Sequence, residues 1–266
     1  MHPTLNIAIR AAREAGRLIR RYVDRVDLLD VSAKGRNDFV SEVDRQAEVE
    51  IIRVIRAVYP DHSILAEESG SSSNDSNHQW VIDPLDGTTN FLHGLPHFAV
   101  SIGFRHDGRA ESGVVYDPLR EEMFVASRGQ GAMLNEHRIR VTKRTSMDGA
   151  LLGTGFPFRL PQHMDAYLGT FRAMMSQCAD VRRAGAAALD LAYVASGRLD
   201  GFWEIGLSEW DLAAGCLLVQ EAGGLVGDFS GGNRHMKTGN VIAATPRVFK
   251  GMLQSIRPVL PPSLTA

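Results

Sequence analysis

Two stretches near the start of the chain place apolar residues three or four positions apart. Between residues 5 and 22 this spacing predicts an amphipathic helix whose opposite face carries arginines. A second apolar stripe runs from residue 41 to 58, and Ser41 with Asp44 at its start resembles the capping pair of a helix N-terminus. The polar residues 34–38 between these stripes are expected to form a loop.

Short apolar runs in the next part of the chain predict β-strands. Residues 63–66 and 79–82 are two such runs, and the Ser- and Asn-rich residues 70–77 between them are expected to form a mobile loop. Asp107-Gly108 is a strong hairpin signal between two further runs. The further predicted strands of this region are residues 98–105, 111–116 and 122–127.

The second half of the chain alternates between strand-like and helix-like segments. Strands are predicted at 151–154, 201–205 and 241–244, and helices at 162–178, 186–195, 211–221 and from Pro246 onward. Hairpins in the middle followed by alternating elements indicate a layered, mixed α/β fold. Because no Pro/Gly-rich linker divides the chain, residues 1–266 are interpreted as one domain, with a frayed tail from Pro258.

Composition narrows the class of protein. The chain has 266 residues, of which 44% are hydrophobic and 23% charged, as in ordinary globular domains. A formal net charge of −2 gives no support for nucleic acid as the main ligand. Cys178 and Cys216 form neither a disulfide framework nor a zinc-site spacing. With no apolar run approaching about 18 residues, the expected location is the cytoplasm rather than a membrane.

A segment with two candidate metal-binding carboxylates follows the predicted strand at 79–82. Asp83 and Asp86 lie three residues apart around Pro84, so both carboxylates can face one point, and such hard oxygen ligands suit Mg²⁺. Residues 87–89 resemble a helix start, where free backbone N–H groups bind anions. Metal-binding carboxylates beside an anion site indicate phosphate chemistry. The alternative for this segment alone is a plain β-turn, since Asp-Pro and Asp-Gly both favour turns.

Two further acidic sites lie at the ends of predicted elements. Glu67 and Glu68 follow the strand at 63–66, and Asp211 begins a predicted helix, where an aspartate is often only a cap. For each of these sites alone, a purely structural role is the better interpretation. Three acidic regions at element ends together favour a common site.

The longer motifs resemble those of the inositol monophosphatase family. Residues 82–91 (Ile-Asp-Pro-Leu-Asp-Gly-Thr-Thr-Asn-Phe) are similar to its first signature, and residues 210–215 (Trp-Asp-Leu-Ala-Ala-Gly) with 221–224 to its second. Glu67-Glu68-Ser69 is similar to the family's acidic pair. The order and spacing agree from about residue 5 to 249. Residues 90–98 and 188–197 carry a narrower likeness to the family's bacterial SuhB-type members.

This resemblance implies a fold and an activity. The fold would be a five-layer αβαβα sandwich, in a homodimer, with an α+β half of about residues 1–145 and an α/β half of about 146–266. The activity would be Mg²⁺-dependent, lithium-sensitive hydrolysis of myo-inositol-1-phosphate or a similar polyol phosphate. Relatives within the same class act on histidinol phosphate, fructose bisphosphate, NADP or 3′-phosphoadenosine phosphates.

The resemblance also implies metal ligands and catalytic groups. Two to three Mg²⁺ ions would bind: the first at Glu67, Asp83 and the Leu85 carbonyl, the second at Asp83, Asp86 and Asp211, and a weaker third near Glu67. Metal binding lowers the pKa of the attacking water. Glu67 and Thr88 would orient that water, and Asp44 would accept the proton of the Thr88 hydroxyl. Without the resemblance, a capping or surface role would be favoured for Asp44.

Substrate contacts follow from the same resemblance. Backbone N–H groups of Gly87 and Thr88 would hold phosphate oxygens, and Gly185 and Ala187 would offer backbone contacts to the ring. Glu204 and Asp211 would accept hydrogen bonds from hydroxyl groups of the substrate, and Asp86 would be a further substrate-binding residue. Arg182 would be either a substrate-side residue or a dimer-interface residue, and Lys34 would lie on a loop that reaches toward the metals. Ala186 departs from the hydroxyl residue that many relatives carry.

A second hypothesis comes from another functional class. SuhB-type proteins are associated with ribosomal RNA transcription as partners of Nus factors and RNA polymerase, so catalysis could be secondary to an interaction surface. No direct sequence-specific nucleic-acid binding is expected in either case. A pseudoenzyme scaffold is disfavoured because all the acidic groups and Thr88 are present.

Overall fold

The computed structural model describes residues 3–23, 25, 31–35, 38–72 and 77–265, with residues 31–35 and 38–40 described by their backbone alone. Turns of 3-10 helix occupy Pro161–His163 and Arg257–Val259. The helices are α1 (Pro3–Tyr22), α2 (Glu42–Arg56), α3 (Thr88–Leu92), α4 (Met164–Met175), α5 (Ala187–Ala195), α6 (Glu209–Glu221), α7 (His235–Thr238), α8 (Pro246–Ile256) and α9 (Pro262–Thr265).

The strands form three sheets. β1 (Val31–Gly35) and β2 (Asp38–Ser41) pair with each other. The eight-stranded sheet has the order β10-β9-β8-β7-β6-β5-β3-β4, and the five-stranded sheet has the order β12-β11-β13-β15-β14. Their strands are β3 (Ser63–Ala66), β4 (Gly70–Ser72), β5 (His78–Asp86), β6 (Ala99–His106), β7 (Arg109–Asp117), β8 (Glu122–Ser127), β9 (Gly131–Leu134), β10 (His137–Ile139), β11 (Leu151–Thr154), β12 (Asp180–Arg182), β13 (Gly201–Glu204), β14 (Leu225–Gly227) and β15 (Val241–Ala244).

These elements stack in five layers. Helices α1 and α2 pack together on one face of the eight-stranded sheet, α5 and α6 lie between the two large sheets, and α4 and α8 cover the far face of the five-stranded sheet. Each helix pair buries an apolar stripe, because removing apolar surface from water is the main favourable contribution to folding. The αβαβα sandwich and the mixed α/β class expected from the sequence are confirmed.

Three apolar cores correspond to the spaces between these layers. Trp80 and Ile51 are fully buried in the first core, between α1, α2 and the eight-stranded sheet. Leu191 and Leu217 belong to the second core, around α5 and α6. Trp203 lies in the third, beneath α4 and α8. Helices α5 and α6 are buried on nearly all sides, so the central layer holds its position against both sheets.

Most predicted elements are confirmed within a few residues. The hairpin at Asp107-Gly108 joins β6 to β7, and both residues adopt positive φ angles of 50° and 72°. Strands β3, β8, β11 and β15 have the predicted bounds. Cys216 is buried and Cys178 is partly buried, and both are free thiols.

Three predictions of irregular structure were wrong. Residues 34–38 include the ends of the β1–β2 pair rather than a loop, and their residues 36–37 lie outside the described part. Residues 70–72 add strand β4 to the sheet edge, although their Gly and Ser residues have low strand propensity, and residues 73–76 are not described. The tail beyond Pro258 is ordered because Leu264 is only 8% exposed and packs into the third core.

Within the described residues, no helix combines the length and the apolar character needed to cross a membrane. The division of the chain into halves near residue 145 stays a prediction.

Candidate active site

Strand β5 carries two aspartates to the same edge of the eight-stranded sheet. The sequence predicted a strand over residues 79–82, with a plain β-turn as the alternative for the segment that follows, but β5 continues to Asp86. Its pairing with β6 shifts register between Asp83 and Asp86, which leaves Pro84 and Leu85 in a bulge. Proline has no N–H for the ladder, so a bulge is one of the few places where a strand accepts it. The bulge re-aims both carboxylates into one cavity.

A third aspartate comes from the first turn of α6. Ser208 caps this helix, and Asp211 completes the capping box by accepting a hydrogen bond of 2.7 Å from the Ser208 N–H. Asp211 is therefore both a helix-capping residue and a neighbour of β5. One carboxylate oxygen each from Asp83, Asp86 and Asp211 lie within 4.8 Å of one another, and all three side chains are buried.

Glu67 joins this cluster from the end of β3. Its backbone N–H donates to the Ile82 carbonyl at 3.1 Å, and its carboxyl is hydrogen-bonded to Asp83. Arg159 approaches Glu67 from the other side of the cavity, with Nη2 3.4 Å from Oε1.

The sequence analysis missed Glu48, which holds this turn in place. Its carboxylate accepts the backbone N–H groups of Glu68 and Ser69 at 2.8 and 2.9 Å. Glu48 is 3% exposed and lies in the buried stripe of α2. An acidic residue on an apolar helical stripe was the available signal.

The electrostatics of the cluster fit a bound cation. Burial, followed by the charge of Glu67, raises the pKa of Asp83 well above its ordinary value. Burial and Asp211 raise the pKa of Asp86 to about 8, while burial and Glu67 raise the pKa of Asp211 to about 6.

The hydrogen bonds point the same way. Glu67 and Asp211 lie close enough to Asp83 for hydrogen bonds between carboxyl groups, and ionised carboxylates only accept, so a shared proton or a cation would stabilise the cluster. Oxygen ligands of this kind, without His or Cys, suit Mg²⁺ or Ca²⁺.

Thr88 and Asp44 form a hydrogen-bonded pair beside the acidic cluster. The Thr88 hydroxyl lies 2.8 Å from Asp44 Oδ1 and 3.0 Å from the Leu85 carbonyl oxygen, which brings the predicted catalytic and metal-binding groups together. The predicted capping role of Asp44 is also confirmed, because Ser41 donates to its other oxygen through both the N–H and the hydroxyl. Burial raises the pKa of Asp44, and the hydrogen bonds from Ser41 and Thr88 oppose that rise.

Gly87 makes the sharp entry into α3 possible. Its φ angle is +92°, and a Cβ atom there would lie 3.0 Å from the His97 carbonyl oxygen, so both conformation and space require glycine. The predicted helix start after Gly87 is confirmed, although α3 has only five residues.

The segment before α5 is fastened to α3 and β5. Asp86 Oδ2 accepts the Ala188 N–H at 2.7 Å, and the Asn90 side chain donates to the Ala184 carbonyl at 2.9 Å and to the His97 carbonyl at 2.8 Å. These bonds place Gly185 and Ala187 on the cavity wall. Asn90, which the sequence analysis did not assign a role, therefore positions the expected substrate segment.

Arg182 lies outside the cavity wall. It is exposed and pairs with Asp180 on the same edge strand, β12. The next residue, Arg183, lines the cavity and stacks over the Phe156 ring at 4.8 Å. The structure thus brings Arg183 to the site where the resemblance suggested Arg182. Lys34 belongs to β1, and its side chain lies outside the described part of the chain.

The acidic cluster, Thr88 and the segment before α5 open onto one cavity of about 550 Å³. Its floor is the acidic cluster, and its far wall includes Glu204, Asp190 and the segment from Phe156 to Leu160. The predicted residues that line it are Glu67, Asp83, Leu85, Asp86, Gly87, Thr88, Gly185, Ala187, Glu204 and Asp211, with Asp44 buried behind Thr88.

Comparisons with known proteins agree with this geometry. The family model described as the inositol monophosphatase family matches residues 1–259. The chain belongs to the inositol monophosphatase family. It is 57% identical to the Nus factor SuhB of Pseudomonas aeruginosa, with 99% of each chain covered.

Two solved structures show the same similarity. The extragenic suppressor protein suhB from Bartonella henselae has a TM-score of 0.94 and 44% identity, over 96% of this chain and 99% of that one. The inositol monophosphatase from Anabaena has a TM-score of 0.87 and 37% identity, over 97% of this chain and 96% of that one. Family membership therefore supports a phosphatase.

Proposed function

We propose that this chain is a Mg²⁺-dependent phosphomonoesterase that hydrolyses myo-inositol-1-phosphate or a similar polyol phosphate. The observation that carries the proposal is the cluster of buried carboxylates within 4.8 Å, next to the Thr88–Asp44 pair and open to one cavity. Glu67, Asp83, Asp86, Asp211 and the Leu85 carbonyl would hold two to three Mg²⁺ ions. When bound, Mg²⁺ supplies positive charge to the phosphoryl group and acidifies the attacking water.

The Thr88–Asp44 pair orients the nucleophile in this proposal. Because the Thr88 hydroxyl donates to Asp44, its lone pairs face away from Asp44 and can accept a hydrogen bond from water. Glu67 supplies the second acceptor for the same water. Asp44 is buried and has a raised pKa, so it is suited to take up a proton passed through Thr88.

Other residues hold the substrate on both sides of the scissile bond. The N–H groups of Gly87 and Thr88, at the start of α3, would hold phosphate oxygens. Asp86, Glu204 and Asp211 would accept hydrogen bonds from hydroxyl groups of the leaving alcohol, and Gly185 and Ala187 would contribute backbone contacts. Phosphoryl transfer needs little beyond such positioning and charge neutralisation.

Phosphate release from myo-inositol-1-phosphate tests the proposal. We expect turnover with Mg²⁺, none with excess chelator, and a large loss in Asp83→Asn at both low and high Mg²⁺. Folded protein that releases no phosphate with Mg²⁺ present would contradict the proposal. The homodimer and the cytoplasmic location expected from the sequence belong to the same proposal, and sedimentation velocity tests the dimer.

We propose, as a second candidate, that the chain acts as a Nus factor in transcription. The supporting observation is the 57% identity, over 99% of both chains, to a relative named for that role. The residues of the cavity are not needed for this function. A deletion strain rescued by the Asp83→Asn variant would separate the two functions, whereas failure to rescue with a stably expressed variant would tie regulation to catalysis.

A further inference from the structure

Asp190 is a buried acidic residue of the cavity wall for which the proposed mechanism has no use. It lies in α5, is 2% exposed and lines the cavity. Among the described residues its carboxyl forms no hydrogen bond and no ion pair. Burial, followed by the charge of Asp86, raises its pKa well above the ordinary value, and only the charge of Arg183 opposes that rise. Buried polar groups in folded proteins nearly always have a partner, so a buried carboxyl without one needs an explanation.

The neighbouring strand lies against both carboxyl groups of this wall. A Cβ atom on Gly153 in β11 would be in ordinary van der Waals contact with Asp190 Cγ, at 3.4 Å. A Cβ atom on Gly155 would lie 2.1 Å from Glu204 Cδ, so the absence of a side chain there leaves the space that Glu204 occupies.

Glu204 is a second buried acidic residue of the same cavity wall. It is 7% exposed, lines the cavity and has a pKa raised well above its ordinary value by burial and by the charges of Asp211 and Asp190. Arg183 lowers the pKa of both acids, which places its positive charge near the pair. The wall thus presents two neighbouring carboxyl groups with the Arg183 guanidinium group near them.

We propose that Asp190 is a specificity-determining residue that accepts a hydrogen bond from a hydroxyl group of the leaving alcohol, beside Glu204. The inference rests on the proposed phosphatase function and sharpens its substrate class. A second hydroxyl group on the leaving alcohol would donate a hydrogen bond to the buried carboxyl. A leaving alcohol that has no further hydroxyl group leaves the carboxyl without this partner, and sites built this way discriminate strongly against the poorer ligand.

Two neighbouring carboxyl groups narrow the substrate class. Asp190 and Glu204 can each bind one hydroxyl group, so the site favours a leaving alcohol with several hydroxyl groups, such as a cyclitol or a sugar.

The test compares two substrates in three variants. For each protein, kcat/KM is measured with myo-inositol-1-phosphate and with p-nitrophenyl phosphate, whose leaving group has no hydroxyl substituent, and their ratio is taken. We expect Asp190→Leu to lower this ratio about 10- to 100-fold, the value of one hydrogen bond to a charged group. Asp190→Asn keeps an acceptor oxygen and should retain most of the ratio.

A matched control comes from another buried aspartate. Asp200 is 6% exposed but has partners: Thr142, Arg144 and the Leu151 N–H donate to it at 2.6–2.9 Å. Asp200→Asn should lower the Tm and leave the ratio unchanged, whereas Asp190→Leu should leave the Tm unchanged or raise it.

The outcomes separate this inference from the one on which it depends. A folded Asp190→Leu protein with an unchanged ratio, or with a Tm lowered as in Asp200→Asn and no change in ratio, overturns the role of Asp190 alone. Wild-type protein that hydrolyses neither ester overturns the phosphatase proposal itself.

Discussion

Buried aspartates occur in two kinds of surroundings in this protein. Asp228 is 3% exposed, and its carboxylate accepts backbone N–H groups from Ser230, Gly232 and Arg234 at 2.8–3.1 Å. Burial alone would raise the pKa of Asp228, but these hydrogen bonds and that of the Ser230 hydroxyl hold it below its usual value. Asp83 is 1% exposed, and both burial and neighbouring acids raise its pKa.

The difference shows what each region is built for. The Asp228 turn satisfies its charge internally, so its carboxylate stabilises the fold. The acids of the cluster repel one another, and the backbone hydrogen bonds that Asp86 and Asp211 accept do not offset this repulsion and their burial, so a bound cation would stabilise them. When burial and neighbouring charges raise the pKa of a carboxyl group, its ionised form lowers the free energy of unfolding. Groups destabilised in this way are typical of functional sites.

The largest expected effect comes from removing one carboxylate of the cluster. Asp83→Asn should lower kcat/KM for myo-inositol-1-phosphate by more than about 100-fold, since even groups that only orient metal ligands are worth 10- to 100-fold. In chelator its Tm should equal or exceed that of the wild type, because one repelling charge is gone. Steady-state kinetics checks the loss of kcat/KM, and calorimetric melting checks the Tm. A large fall in Tm would show that Asp83, like Asp228, stabilises the fold.

The hydroxyl of Thr88 gives the next effect. Thr88→Ala removes the group that bonds Asp44 and should lower kcat about 100-fold, within the usual range for proton transfer groups. Thr88→Ser keeps the hydroxyl and is the matched control. Equal kcat values for the two variants would remove Thr88 from the mechanism.

Removing the Asp228 carboxylate should lower stability without lowering activity. Asp228→Ala leaves three buried or partly buried N–H groups without their acceptor and should cost about 3 kcal/mol of unfolding free energy. The Tm should fall by roughly 6–12 °C for a chain of this size. Turnover per folded molecule should stay at the wild-type value, and a parallel loss of turnover at low temperature would contradict the separation of the two regions.

The smallest effect is a pH dependence of stability without metal. Because the pKa of Asp86 is raised to about 8 and that of Asp211 to about 6, folding favours their protonated forms. Their contribution is present at low pH and is lost as pH rises through the folded pKa values. In chelator the Tm should therefore fall between pH 6 and pH 8.5, and Mg²⁺ should raise it more at pH 8.5. An equal Mg²⁺ effect at both pH values would count against the cluster as the binding site.

The sequence was sufficient for groups that belong to local motifs. Asp83, Asp86 and Thr88 lie within ten consecutive residues, so one resemblance identified all three, and the capping spacing of Ser41 with Asp44 placed the latter at a helix start. The αβαβα layers were expected from the family resemblance, whereas hydrophobic periodicity predicted single elements such as α1 and α2, each with one apolar stripe.

Residues that act across the fold were not predictable in the same way. Asp190 is a single acidic position in a mostly apolar helix, and only the fold shows that it lines the cavity near Glu204. Glu48 and Asn90 bind backbone groups 20 and 94 residues away. The bulge at Pro84 was missed because the turn propensity of Asp-Pro is a local preference that the sheet overrides.

Calorimetric titration of Mg²⁺ into chelator-treated protein tests the central claim most directly. The account predicts saturable binding to the wild type and to Asp228→Asn, and its loss in Asp83→Asn. Binding to Asp83→Asn with wild-type affinity would contradict the assignment of the cavity acids as the metal site.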